Sequence, residues 1–137
     1  RGVVVRNSKA AERLTLAEWA AALNEIANTA REGRTQPADM TGGSFTITNV
    51  GVFGIDSGTP IINPGESAIL AFGAIRKQPW VVTTRDASGA EHDEIAVRQV
   101  TTLALSFDHR HIDGALGSRF LADVAAIIED PGNALLF

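Results

Sequence analysis

Two histidines and two aspartates stand within six positions of one another near the end of the chain, in the segment Asp108-His109-Arg110-His111-Ile112-Asp113-Gly114. The segment separates a strand-like run, residues 100–107, from a helix-like run, residues 115–129. A loop between two rigid elements can fix the geometry of its side chains, and histidine is well suited to moving protons near neutral pH. This loop is therefore the first candidate for a functional site.

The residues of this loop alone allow three interpretations. In the first, Asp113 and Gly114 form only a turn and a helix cap, and both histidines are partly exposed. In the second, His109, His111 and Asp113 bind a metal ion. That site is short of ligands for zinc, because the chain has only one other histidine, His92, and no cysteine. In the third, His109 is a catalytic acid or base, and Asp113 orients or braces it.

Composition limits the classes of function. The chain has 137 residues, of which 45% are hydrophobic and 20% are charged, as expected for one domain or part of one. The net charge is −4 and there is no basic run, so binding to nucleic acid is not expected. No apolar stretch approaches the length that crosses a membrane. The absence of cysteine excludes a disulfide framework and a thiol nucleophile in this chain, and it fits a reducing compartment.

The hydrophobic pattern predicts alternating strands and helices, hence an α/β fold. A capping-box spacing at Thr15 and Glu18 predicts the start of a helix that ends near Gly33, with Trp19 on its apolar stripe. The remaining predicted elements are strands at residues 2–6, 44–49, 67–73, 80–84 and 95–107, a hairpin turn at 86–89, and a last helix at 115–129 that ends before Asp130-Pro131.

A long loop, residues 50–65, contains four glycines and two prolines, and we expect it to be functional. It also carries several large apolar residues, which are unusual in a solvated loop. The pattern therefore indicates a contact between subunits.

Three blocks of the sequence together resemble one family. The string Asp108-His109-Arg110-x-x-Asp113-Gly114 resembles the active-site signature of the dihydrolipoyl acyltransferases, the core components of 2-oxoacid dehydrogenase complexes. Residues 42–51 (GGSFTITNVG) resemble the strand and glycine turn of that family, and residues 59–70 (TPIINPGESAIL) resemble the block that follows it. The resemblance covers essentially the whole chain.

This resemblance implies a fold and an assembly. Residues 1–137 would form the C-terminal portion of one catalytic domain, with the N-terminal part of that domain and the lipoyl and subunit-binding domains outside this chain. The fold would be a chloramphenicol acetyltransferase-like mixed sheet flanked by helices. Such subunits would form homotrimers that assemble into a larger core, and residues 1–137 would behave poorly alone.

The resemblance also implies a reaction: transfer of an acyl group between a dihydrolipoyl thiol and coenzyme A. Coenzyme A would be a substrate, the lipoyl group would be carried on another domain, and no metal would take part. His109 matches the family's general base, Thr48 matches a hydroxyl that a neighbouring subunit contributes to stabilise the oxyanion, and Asp113 acts near the histidine.

Other matched positions imply supporting roles. Arg110 would form an ion pair that fixes the loop, and Asp108 and Gly114 would support the site. Asn63 and Ser106 would line the substrate channel.

The acyl group, the partners and the location follow from the resemblance as expectations. Residues 51–65 and 74–80 favour branched-chain acyl groups, then acetyl; for succinyl we identify no cation that would bind the distal carboxylate. Expected partners are the 2-oxoacid decarboxylase and dihydrolipoyl dehydrogenase components, in the bacterial cytoplasm or the mitochondrial matrix. The alternatives are another coenzyme A-dependent acyltransferase of the same fold, or a non-catalytic structural core.

Overall fold

The computed structural model describes residues 7–136, so the strand predicted at residues 2–6 lies outside the described part. The chain divides into two compact units, residues 1–45 and residues 46–137. The regular elements are the helices α1 (Leu16–Arg31) and α2 (Gly114–Glu129) and the strands β1 (Phe45–Asn49), β2 (Ala68–Phe72), β3 (Arg76–Arg85), β4 (Glu91–Val100) and β5 (Leu103–Phe107).

The first unit contains α1, which begins with the predicted capping box. The Thr15 hydroxyl accepts the backbone N–H of Glu18 at 3.3 Å, and the Glu18 carboxylate accepts the backbone N–H of Thr15 at 2.7 Å. Gly33 follows the helix with a φ of 67°, a left-handed conformation that glycine adopts easily. Trp19 is half-buried, and its indole N–H donates to the carbonyl of Ala11 at 2.9 Å. The predicted helix is confirmed.

The second unit contains a three-stranded sheet in the order β1-β2-β5. β2 is the central strand and runs antiparallel to β5, with Ala68 opposite Phe107 and Phe72 opposite Leu103. Ala68, Ile69, Leu70 and Ala71 are all buried. The nearly continuous apolar run of this strand predicts a central position, and the structure confirms it.

β3 and β4 form a separate antiparallel hairpin, in which Arg85 lies opposite Glu91. The turn is the predicted one, and the Asp86 carboxylate accepts the backbone N–H groups of Ser88 and Ala90 at 2.8 and 3.1 Å. These acceptors hold the chain in a tight reversal.

The prediction of one strand over residues 95–107 is wrong, because the chain leaves the hairpin after Val100 and joins the other sheet at Leu103. The two intervening residues bind Gly73, just beyond β2. The Thr101 hydroxyl donates to the Gly73 carbonyl at 2.9 Å, and the Gly73 N–H donates to the Thr102 carbonyl at 3.0 Å. These hydrogen bonds redirect a run whose composition is strand-like throughout.

α2 packs on β5 through Gly117, which is buried with the ring of Phe107 against it. The helix was predicted one residue shorter at its start, and Asp130 caps its end as its N–H donates to the Ala126 carbonyl. β5 and α2 therefore hold the two ends of residues 108–113. Within residues 7–136, no helix has the length and apolar character to cross a membrane.

Candidate active site on the loop between β5 and α2

The loop begins with a turn at Asp108 that is bound to the start of β2. The Asp108 N–H donates to the carbonyl of Ser67 at 2.8 Å. The Asp108 carbonyl accepts the N–H of Ile112 at 3.1 Å and that of His111 at 3.3 Å. These bonds close the backbone around His109 and Arg110, so the position of His109 depends on backbone contacts on both of its sides.

The Asp108 carboxylate is bound by Arg110. The guanidinium donates through Nε to Oδ1 at 2.9 Å and through Nη2 to Oδ2 at 2.6 Å, and the Arg110 backbone N–H donates to Oδ1 at 3.0 Å. The Asp108 side chain is 16% exposed, whereas that of Arg110 is 89% exposed. The hydrogen bonds from Arg110 hold the pKa of Asp108 well below its usual range, and the same bonds raise the pKa of Arg110. The predicted ion pair is present.

His109 presents an exposed imidazole that forms no hydrogen bond to any residue within 7–136. Its ring lies 5.7 Å from the Phe107 ring, centroid to centroid, at an interplanar angle of 42°. An imidazole held by its backbone and by one aromatic neighbour, with both nitrogens open, can accept a proton from a bound substrate.

Asp113 is the N-cap of α2, and its Oδ1 accepts the N–H of Leu116 at 2.7 Å. The helix cap expected at Asp113 is therefore present. In the described part of the chain, Asp113 has no hydrogen bond to His109, and its role beside the histidine stays a prediction. Gly114 is the first helical residue and has no positive φ, and a Cβ there would meet nothing within 4 Å.

Thr48 lies half-buried on β1, away from the loop. Because β2 separates β1 from β5, the two strands are two spacings apart, or about 10 Å. One copy of this chain therefore does not bring the Thr48 hydroxyl against His109. The catalytic role of Thr48 stays a prediction.

Asn63 belongs to a polar cluster that the sequence analysis missed. Its amide donates to the Thr46 hydroxyl at 2.9 Å, and that hydroxyl donates to the Glu66 carboxylate at 2.5 Å. Thr46 shares the face of Thr48, since side chains on a strand alternate with a period of two. That period was the signal available in the sequence. Ser106 is half-buried on β5 opposite Ile69. The channel roles of Asn63 and Ser106 stay predictions.

His111, for which the family resemblance implies no role, contacts the residue that also anchors Asp108. Its Nε2 lies 3.1 Å from the Ser67 hydroxyl, and its Nδ1 lies 3.8 Å from Oδ2 of Asp108. No pattern in the sequence relates positions 67 and 111, which are brought together only by the pairing of β2 with β5.

The metal interpretation of the loop finds no support in the side-chain directions. His111 turns to Ser67, and Asp113 turns to the first turn of α2. Across residues 7–136, no three side chains of the usual ligand types converge on a point where an ion would bind.

Comparison with known sequences gives the family. Residues 1–136 match the family described as 2-oxoacid dehydrogenases acyltransferase (catalytic domain). The chain is 39% identical over 136 residues to the dihydrolipoyllysine-residue succinyltransferase component of the 2-oxoglutarate dehydrogenase complex of Haemophilus influenzae, covering 99% of this chain and 31% of that protein. It is 41% identical over 135 residues to the dihydrolipoyllysine-residue acetyltransferase component of the pyruvate dehydrogenase complex of Acholeplasma laidlawii, covering 98% of this chain and 23% of that protein.

Solved structures give the same result for the fold. A probable dihydrolipoamide acetyltransferase from Listeria monocytogenes superposes with a TM-score of 0.74 at 36% identity, over 86% of this chain and 47% of that one. The dihydrolipoamide acetyltransferase of Azotobacter vinelandii superposes with a TM-score of 0.68 at 32% identity, over 92% of this chain and 48% of that one. Its structure was solved to investigate a serine, a histidine and an asparagine in its catalytic mechanism. The cubic core of the pyruvate dehydrogenase multienzyme complex superposes with a TM-score of 0.68 at 31% identity, over 92% of this chain and 48% of that one.

The chain thus spans less than a third of these curated relatives and about half of these solved chains. The predicted fold class, a mixed α/β acyltransferase core, is confirmed, and the chain belongs to the 2-oxoacid dehydrogenases acyltransferase (catalytic domain) family.

Proposed function

We propose that the protein containing this chain transfers an acyl group between the dihydrolipoyl thiol of a lipoyl domain and coenzyme A. The observation that carries the proposal is the exposed imidazole of His109, which has no hydrogen-bond partner within residues 7–136 and stands between anchored neighbours. It lies in the block 108–114 that resembles the family's active-site signature, within the residues that match the family.

His109 acts as the general base. A free thiol has a pKa of about 8.5, so most of it is protonated at neutral pH and is a weak nucleophile. The thiol of coenzyme A loses its proton to the neutral imidazole as its sulfur attacks the acyl thioester. The bond from the acyl carbon to the dihydrolipoyl sulfur then breaks, and the imidazolium returns the proton to that sulfur. The reverse reaction uses the same base for the dihydrolipoyl thiol. The tight turn at Asp108 supports this role because a base must stay within hydrogen-bond reach of the attacking sulfur.

The Thr48 hydroxyl of a neighbouring subunit donates a hydrogen bond to the oxyanion that forms during attack. The separation of about 10 Å between β1 and β5 supports a donor from a second copy, since the chain's own Thr48 is too far from His109. Loss of one such donor typically costs about 2.7–4 kcal/mol of transition-state stabilisation. The resemblance to a protein that forms a cubic core supports a trimer as the building block of a larger assembly.

Asp113 holds the loop rather than taking a proton. The Azotobacter vinelandii relative was studied for the role of a serine, a histidine and an asparagine, the last two of which are four positions apart, like His109 and Asp113. Aspartate and asparagine share the carbonyl-type oxygen that accepts the Leu116 N–H, but they do not share a charge. The cap, which both residues can form, therefore accounts for this position better than charge does.

The acyl group that we propose is a branched-chain one, with acetyl as the second candidate and succinyl as the third. The relatives named above are a succinyltransferase and acetyltransferases, whereas the loop sequences led us to predict branched-chain groups. Selectivity for one methylene is worth only about 1–3 kcal/mol, so the three donors must be compared directly. The proposed partners are the 2-oxoacid decarboxylase and dihydrolipoyl dehydrogenase components of the matching complex, in the bacterial cytoplasm or the mitochondrial matrix.

The experiment measures transfer from acetyl-, isobutyryl- and succinyl-coenzyme A to free dihydrolipoamide, using the full protein that contains this chain. His109→Ala and Thr48→Val are compared with His92→Ala, which removes an exposed histidine of the hairpin turn. We expect both site variants to lose transfer while keeping their sedimentation profile, and His92→Ala to resemble the wild type. An assembled wild-type protein that uses none of the donors would refute the acyltransferase assignment and leave a structural core.

A further inference from the structure

We propose that Ser67 and His111 form a positioning pair that fixes the loop carrying His109 against the central strand of the sheet. The inference rests on the proposed function, because it concerns the base of that reaction. Neither residue touches the reacting atoms in this account; they act through the backbone of the loop.

Ser67 makes two contacts, one on each side of His109. Its carbonyl accepts the N–H of Asp108 at 2.8 Å, and its hydroxyl lies 3.1 Å from Nε2 of His111. Asp108 precedes the base and His111 follows it by two positions. Because Ser67 immediately precedes β2, whose first four residues are buried, both contacts attach the loop to the most buried strand of the sheet.

The other side-chain contacts of the loop are local. Arg110 binds Asp108 two positions away, and Asp113 caps the helix three residues ahead. Local contacts of this kind shape the turn, but they do not attach the residues that follow His109 to the sheet. The hydrogen bond between His111 and Ser67 joins residues that are 44 positions apart. Within residues 7–136, no other side-chain hydrogen bond joins residues 108–113 to a distant part of the chain.

The bond between His111 and Ser67 can run in either direction. The Nδ1 of His111 lies 3.8 Å from the Asp108 carboxylate, too far for a good hydrogen bond, so the Ser67 hydroxyl is the group that binds this ring. The imidazole Nε2 accepts from that hydroxyl or donates to it, according to the tautomer. An amide side chain of similar reach can also do either, whereas an aliphatic side chain can do neither.

The test uses the full protein and the donor that the wild type uses best. We expect His111→Leu and Ser67→Ala each to lower kcat roughly ten- to a hundredfold, because displacing the base by about 1 Å has effects of that size. KM for both substrates should change by less than about twofold, since the pair does not contact substrate. The double variant should be no slower than the slower single variant, as expected for two halves of one interaction.

Conservative variants separate positioning from general damage to the fold. His111→Gln and Ser67→Thr keep a partner for the bond and should recover most of kcat, and sedimentation should show the same assembly for every variant compared. His92→Leu removes a histidine that binds Asp86 on the hairpin turn, and it should leave kcat unchanged. If His111→Leu does not assemble, the comparison of His111→Gln and Ser67→Thr with Ser67→Ala decides the question.

Two failures are distinguishable. If the wild type transfers no acyl group, the proposed function fails and the positioning pair fails with it. If the wild type is active but His111→Leu or Ser67→Ala retains full kcat, or if the effects of the two add in the double variant, only the positioning pair is refuted.

Discussion

Replacing Gly117 with alanine should disturb the contact between α2 and β5 on which the loop depends. Gly117 is buried, and a Cβ built on it would lie 2.4 Å from Cε1 of Phe107 and 2.9 Å from both Cδ1 and Cζ. The backbone fixes the position of a Cβ, so no choice of rotamer relieves these distances. Either the Phe107 ring or the helix must move.

The size of the effect follows from two opposing contributions. Alanine favours a helix interior over glycine by about 1 kcal/mol, while forcing an extra carbon into a packed contact costs about 1–3 kcal/mol. Ordinary contact begins at 3.4 Å, so the ring must move by about 1 Å, which places the cost near the upper end. The net expectation for Gly117→Ala is a loss of about 1–2 kcal/mol in the free energy of unfolding.

Gly114→Ala is the matched control, because a Cβ at that position on the same helix meets nothing within 4 Å. It should leave stability unchanged or raise it by up to about 1 kcal/mol. The measurement is urea unfolding of the full protein at one fixed protomer concentration, since assembly makes the midpoint depend on concentration. Because the Phe107 ring lies 5.7 Å from that of His109, Gly117→Ala should also lower kcat.

Two results would refute the reasoning. The first is a urea midpoint for Gly117→Ala as high as that for Gly114→Ala, which would mean that the helix accommodates the methyl group without strain. The second concerns the double variant Gly117→Ala with Phe107→Leu, in which a smaller side chain faces the new methyl group. If this variant recovers none of the lost stability, a clash with the Phe107 ring is not the cause.

Three further predictions concern the same unit. Gly73→Ala should lower the free energy of unfolding by about 3 kcal/mol or more, because its Cβ would lie 1.9 Å from the backbone oxygen of Asp56. Gly58→Ala is the control, since a Cβ there meets nothing within 4 Å, and it should change that free energy by no more than about 0.5 kcal/mol. Equal urea midpoints for the two variants would contradict this prediction. Asp113→Ala should cost about 1 kcal/mol through loss of the helix cap, while Asp113→Asn should not, and equal losses in urea unfolding would show that charge matters instead. Arg110 lowers the pKa of its carboxylate partner, so the pair stabilises the fold fully above the ordinary aspartate pKa of about 3.9 and loses this contribution as pH falls below it. Arg110→Gln should therefore show a smaller drop in urea midpoint from about pH 6 to about pH 3 than the wild type, and an unchanged drop would contradict the sign.

Elements set by local pattern were predictable from the sequence. The start of α1 follows from the Thr15 capping box, and the central place of β2 follows from its unbroken apolar run. Asp113 could be recognised as a helix cap, because the residue types that suit this position are few. In each case the information lies within a few neighbouring residues, which is the range over which propensity and period act.

Features set by long-range pairing were not predictable. The break after Val100 depends on the hydrogen bond that the Thr101 hydroxyl donates to Gly73 and on the one that Thr102 accepts from it, and Gly73 is far away in the sequence. The contact between His111 and Ser67 depends on the same pairing of β2 with β5. The sequence shows which side chains can form hydrogen bonds. It does not show which distant strand will lie next to them.

The second unit exposes large apolar side chains on β1 and on the loop that follows it. Ile47 on β1 is 69% exposed, and Val52 and Phe53 in the following loop are 71% and 73% exposed. This loop is not loosely held, because the Ala74 N–H donates to the Ile55 carbonyl at 2.8 Å and Gly73 packs against its backbone. A firmly anchored loop that presents large apolar side chains is typical of a protein contact surface.

The same strand, β1, carries the exposed Ile47 on one face and the half-buried Thr48 on the other. Under the proposed function, a second copy that covers the apolar loop also brings its own His109 toward Thr48, because a reaction that needs both groups cannot use two that lie about 10 Å apart in one chain. Assembly and catalysis then depend on the same association of copies. Burial of the apolar loop would stabilise the oligomer, and the resulting alignment of base and oxyanion donor would make the assembled form the active one.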